Sequence, residues 1–149
     1  MDNPKLHTME STNKTITIIG LCFEAISLLF LWALVYLFLN FEELLPFSSS
    51  WEISYIEYLD VIEFFDSFGM IFIIISAVFS IFILFNIVVF TKLIRGKFKE
   101  KTAKGFYLYQ AIYGGLSLSS NQIVGILYLV SGIRGYKGEQ EVKDIRTGI

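Results

Sequence analysis

The chain has 149 residues, 54% of them hydrophobic, 17% aromatic and 17% charged, against about 25% charged in a typical soluble domain. This excludes a disordered chain, which needs low hydrophobicity and high charge, and a single Cys excludes an intrachain disulfide scaffold. The net charge of −2 and pI near 5.4 lack the basic footprint of a nucleic-acid binder, so the composition points to an all-α integral membrane protein, a polytopic transmembrane helical bundle.

Residues 1–15 are polar and read as a tail, with His7 solvated within it. Residues 16–40 form an apolar run whose one carboxylate is Glu24. About 20 residues at 1.5 Å each cross the hydrocarbon, so this run predicts a first membrane helix. Its length and flanks do not fit a signal peptide. Cys22, with Leu21 before it, does not fit a lipoprotein signal and reads as a small buried hydrophobe.

Residues 41–67 carry Glu42, Glu43, Glu52, Glu57, Asp60, Glu63 and Asp66 and no basic residue. Ser49-x-x-Glu52 has the spacing of a capping box. Beyond it, Trp51, Tyr55, Tyr58, Leu59, Ile62 and Phe65 fall on one side of a helix, and Glu52, Glu57, Asp60 and Glu63 lie largely on the other. That pattern predicts an amphipathic helix lying at the membrane surface with its aromatics at headgroup depth. The acidic face is then either a solvated connector or a docking surface for a cationic external partner. The carboxylates lack EF-hand spacing, so no metal site is expected.

Residues 68–91 form a second uncharged run and a second membrane helix. Residues 92–104 follow with Lys92, Arg95, Lys97, Lys99, Lys101 and Lys104 against the single acid Glu100. Basic enrichment marks the cytoplasmic side. The 41–67 loop is therefore expected outside, and the N-terminus inside with the 92–104 loop.

Residues 105–133 are uncharged and admit one long helix or two short ones, 105–118 and 122–133, joined by the turn formers at 119–121. Arg134 and Lys137 begin a 134–149 tail that also favours the cytoplasm. Both ends of this zone are then on one side, which two crossings satisfy and one does not. The expected topology is four membrane segments in a single membrane domain of the plasma membrane, with both termini cytoplasmic.

Intramembrane polar residues are costly and informative. Glu24, Asn86 and Gln110 all fall in the cytoplasmic half of this topology, and a shared polar layer is expected. It serves either as a helix–helix clasp or as the centre of an ion or proton path. Small residues mark the packing faces: Ala111, Gly115 and Ser119 at four-residue spacing, Ser76 and Ser80 likewise, and Gly125 with Gly132 seven apart. No cofactor motif, metal-ligand cluster or catalytic constellation is found.

Two C-terminal stretches, Ala103-Lys104-Gly105-Phe106-Tyr107-Leu108-Tyr109-Gln110-Ala111-Ile112-Tyr113-Gly114-Gly115 and Asn121-Gln122-Ile123-Val124-Gly125-Ile126-Leu127-Tyr128-Leu129-Val130-Ser131-Gly132-Ile133, resemble the closing hairpin of small four-helix integral membrane proteins of unknown function from Gram-positive bacteria. Ile18-Ile19-Gly20-Leu21 is similar to their first helix, but Glu24 stands where that family commonly has a small or apolar residue. The resemblance implies a bacterial plasma membrane and carries no catalytic residue. The functional expectation is a non-enzymatic protein acting by interaction, with the lipid bilayer and a membrane or external cationic partner, or as a homo-oligomer. A small transporter or channel built on Glu24 is the alternative.

Overall fold

The computed structural model describes residues 6–44 and 54–147, with side chains through Glu139. Its described elements are helical: α1 (Ser11–Leu39), α2 (Phe41–Leu44), α3 (Tyr55–Ile94), α4 (Glu100–Ser117) and α5 (Gln122–Thr147). The β pairing among the described residues is an isolated antiparallel bridge, Leu6 with Lys99.

At 1.5 Å per residue α1 is about 43 Å long and α3 about 60 Å. Both are long and apolar enough to cross a membrane, and the most apolar 18-residue window of each is only 17% buried within the protein. A core helix of a soluble protein would bury most of such a window. Ile- and Val-rich stretches that lose helix propensity in water have no alternative in lipid, where a spanning backbone must satisfy its own hydrogen bonds.

The sequence boundary at residue 67 is absent. Residues 55–67 are the first turns of α3, continuous with the apolar run, rather than a separate surface helix. Charge misplaces this boundary because Glu57, Asp60 and Glu63 interrupt hydropathy without interrupting the backbone ladder. Ser54 and Glu57 form the capping box: the Ser54 N–H donates to Glu57 Oε2 at 2.7 Å, and the Glu57 N–H donates to Ser54 Oγ at 3.2 Å. The Ser49/Glu52 box and Trp51 lie outside the described residues.

At the other end, residues 105–133 do form two helices. The turn closes with Ser120 and Asn121 N–H donating to the Ser117 carbonyl, and Asn121 Oδ1 accepts from the Val124 N–H at 3.2 Å, an N-cap for α5. α5 runs on through the expected tail to Thr147.

Two compact units result, Met1–Ala25 with Leu84–Ile149, and Ile26–Ile83. In the first, α4 and α5 pack as a hairpin whose contacts are backbone to backbone. A Cβ at Gly114 would stand 2.3 Å from Leu129 N, one at Gly125 2.7 Å from Leu118 N, and one at Gly132 2.4 Å from Ala111 N. Gly115, expected on this face, meets nothing within 4 Å. The seam follows Tyr107, Ala111, Gly114 and Leu118, alternating steps of four and three residues. The four-residue stripe read from the sequence therefore drifts off it after Ala111. Met9, Leu93, Ala103 and Tyr107 form one apolar cluster, and Val89, Phe90, Val124 and Tyr128 another.

The second unit is aromatic. Phe65 stacks on Phe41 with ring centroids 3.9 Å apart, Phe38 touches both Phe65 and Phe72, and Trp32 Nε1–H donates to Ser80 Oγ at 3.0 Å. Tyr58 is buried here, whereas Tyr55, expected to be shielded beside it, is 57% exposed.

Candidate functional site: a buried carboxylate and its polar column

Glu24 lies in the first unit and is 2% exposed. A carboxylate at that depth needs donors, and three other helical segments supply them. Asn86 Nδ2–H of α3 donates to Oε1 at 2.9 Å, the Tyr113 hydroxyl of α4 donates to Oε1 at 2.7 Å, and the Tyr128 hydroxyl of α5 donates to Oε2 at 2.5 Å. Tyr109 completes the shell by donating to Asn86 Oδ1 at 2.6 Å. One side chain on α1 thus accepts from α3, α4 and α5. Each donor is placed by helical spacing: Tyr109 and Tyr113 are four apart on one face of α4, and Gly20 lets the Tyr128 ring pass close to α1, where an added Cβ would fall 2.5 Å from it.

The expected pairing of Glu24 with Asn86 is present as a direct hydrogen bond. Gln110 is buried but does not join that layer. It donates through Nε2 to Thr17 Oγ1 at 3.2 Å, and Thr17 Oγ1 lies 2.6 Å from Ser131 Oγ. Counting residues from the nearest Lys gives depth and not direction around the helix axis. The pairing partner on α1 is therefore two turns earlier than Glu24. Sequence reasoning missed Tyr109, Tyr113 and Tyr128 altogether, because a Tyr in an apolar run reads as ring surface. The signal available was that a buried hydroxyl must find a partner.

Nearer the start of α1 stands a second missed cluster. His7 is not solvated: it is 6% exposed. Its Nε2 is 2.7 Å from the Tyr107 hydroxyl, and its Nδ1 contacts the Glu139 carboxylate. A carboxylate accepts, so Nδ1 carries the hydrogen of that contact. The His7 N–H donates to the Phe98 carbonyl at 2.9 Å, fastening residues 6–10 across the α3–α4 turn. Gly96 in that turn has φ +63°, and a Cβ there would meet the His7 carbonyl at 2.6 Å. Arg134 and Glu10 add an exposed ion pair at 3.3 Å, worth little by itself.

From His7 through Asn13, Thr17, Gln110 and Ser131 to Glu24, buried polar groups follow one another along α1. Two amide oxygens in this column, Asn13 Oδ1 and Gln110 Oε1, have no hydrogen-bond partner. Among the described residues no group of three or more His, Cys, Asp or Glu could hold a metal ion.

Elsewhere, Asp60 and Glu63 are exposed near the start of α3. Glu57 is exposed too, and its carboxyl is held below the ordinary carboxylate range, first by the Ser54 backbone N–H and then by the Ser54 hydroxyl. Glu52 lies outside the described residues. Cys22, expected in the core, is exposed on α1, since it lies two residues from Glu24 and so turns about 200° away from that buried position. No family model matches the chain, and no curated protein or solved structure matches it either.

Proposed function

We propose that the chain is a multi-pass protein of the plasma membrane, with four membrane segments and both termini cytoplasmic, acting by interaction and not by catalysis. The observation that carries this reading is the pair of long apolar helices of which only 17% of the most apolar stretch is buried within the protein. Such surface requires lipid or an apolar membrane partner. The column around Glu24 then works as a clasp: the carboxyl oxygens are met by three donors, as a buried acceptor requires. The same placement is what the resemblance of the C-terminal third implies.

The exposed acids Glu57, Asp60 and Glu63 form the outward surface that would meet a cationic partner. Replacing all three with Gln should leave helix content unchanged apart from the first turn of α3, where Glu57 caps. Binding of a polylysine probe to the outer face of oriented vesicles should weaken, and the difference should shrink at high salt. Equal binding by both forms would remove the docking surface from this reading.

A second reading, a small proton or cation conductor centred on Glu24, is favoured by the two unpartnered amide oxygens. Proteoliposomes loaded with a pH-sensitive dye separate the two readings. The clasp predicts no flux above empty vesicles, and flux abolished by Glu24→Gln would replace it with the conductor.

A further inference from the structure

One open groove of about 430 Å³ is lined by Phe85, Lys101, Thr102, Gly105, Phe106 and Tyr109. We infer that it is a binding site for an anionic glycerophospholipid of the leaflet adjoining the 92–104 loop, an inference that rests on the membrane placement proposed above. Its walls divide by chemistry. The rings of Phe85, Phe106 and Tyr109 offer an apolar trough for an acyl chain, and the Tyr109 hydroxyl is already committed to Asn86. Lys101 and Thr102 sit at the other end, in the first turn of α4.

Lys101 is the basic residue of the groove lining and complements a phosphodiester, within a basic stretch of the chain. Residues 92–104 hold six Lys or Arg and one Glu, Glu100. The N-cap residue of α4, Lys99, provides no side-chain cap, so the backbone amides of Lys101 and Thr102, the second and third positions of the helix, receive none from it. Helix N-terminal amides favour anions, and basic pockets beside membrane helices on the cytoplasmic side suit phospholipid headgroups. Gly105 lines the trough and borders open space, since a Cβ there would meet nothing within 4 Å.

The test uses the full chain in phosphatidylcholine nanodiscs with trace spin-labelled phosphatidylglycerol or spin-labelled phosphatidylcholine, read by electron paramagnetic resonance. Association of the anionic label should exceed that of the zwitterionic one. Lys101→Gln should cut it about fivefold, the factor one basic residue contributes at an anionic surface. Gly105→Leu should abolish it by filling the trough while leaving the thermal midpoint unchanged or raised. Lys137→Gln removes the same charge away from the groove and should change nothing. Equal association of the two labels overturns the site, as does an anionic preference that survives both groove variants. Flotation with vesicles is read first: a chain that floats but shows no preference contradicts only the lipid site, whereas one that fails to float overturns the membrane placement and this site together.

Discussion

The carboxylate of Glu24 gathers hydrogen bonds from three helical segments, and its removal should be felt in all of them. Glu24→Leu leaves the Asn86 amide and the Tyr113 and Tyr128 hydroxyls without their acceptor. With interhelical bonds in membranes worth about 0.6–1.7 kcal/mol each, the sum is about 2–5 kcal/mol. Glu24→Gln keeps an oxygen for Asn86 and Tyr113 and disturbs only the Tyr128 side, at a cost of about 1 kcal/mol. Thermal unfolding in detergent should therefore rank wild type, Gln and Leu in that order, with the larger step between Gln and Leu. An equal loss for both variants would mean that the negative charge itself, and not the acceptor geometry, holds the segments. Glu24 and Asn86 were legible from sequence because a polar residue in an apolar run has few places to go. His7 was not: a lone ionisable residue in a polar tail carries no periodicity, and distant Tyr107 and Glu139 are what meet its ring.

The α4–α5 hairpin depends on backbone contact, and its glycines separate by role. Gly132→Ala would push a methyl against Ala111 N, so overpacking should cost about 1–3 kcal/mol. Gly115→Ala, which meets open space, should gain up to about 1 kcal/mol from helix propensity. Opposite shifts in the thermal midpoint are expected, and a destabilising Gly115→Ala would mean that a second copy packs against that face. Small-residue spacing announced a close helix pair without fixing which glycine faces the seam. The seam alternates four and three, and a 3.6-residue helix carries a strict four-residue stripe around its surface. Elements made by hydropathy were legible in the same partial way. The breaks at 119–121 and the two long helices follow from turn formers and uninterrupted apolar runs. The start of α3 at Tyr55 does not, because acidic residues mark a change of solvent and leave the helix intact.

For the molecule as a whole, α1 and α3 are long and apolar enough to cross a membrane, while the proposed membrane placement of α4 and α5 rests on charge. Both ends of the α4–α5 hairpin carry basic residues, Lys101 and Lys104 before it and Arg134 and Lys137 after it. That symmetry is the support for the proposed four-segment topology with both termini in the cytoplasm. A pair of reporters decides it: one fluorescent only in the cytoplasm and one enzymatically active only outside, each fused after residue 147 and each inserted at Ser120. The cytoplasmic reporter should be active after residue 147 and the external reporter at Ser120. External activity after residue 147 would leave three crossings and an exported C-terminus, and the proposed topology would be wrong.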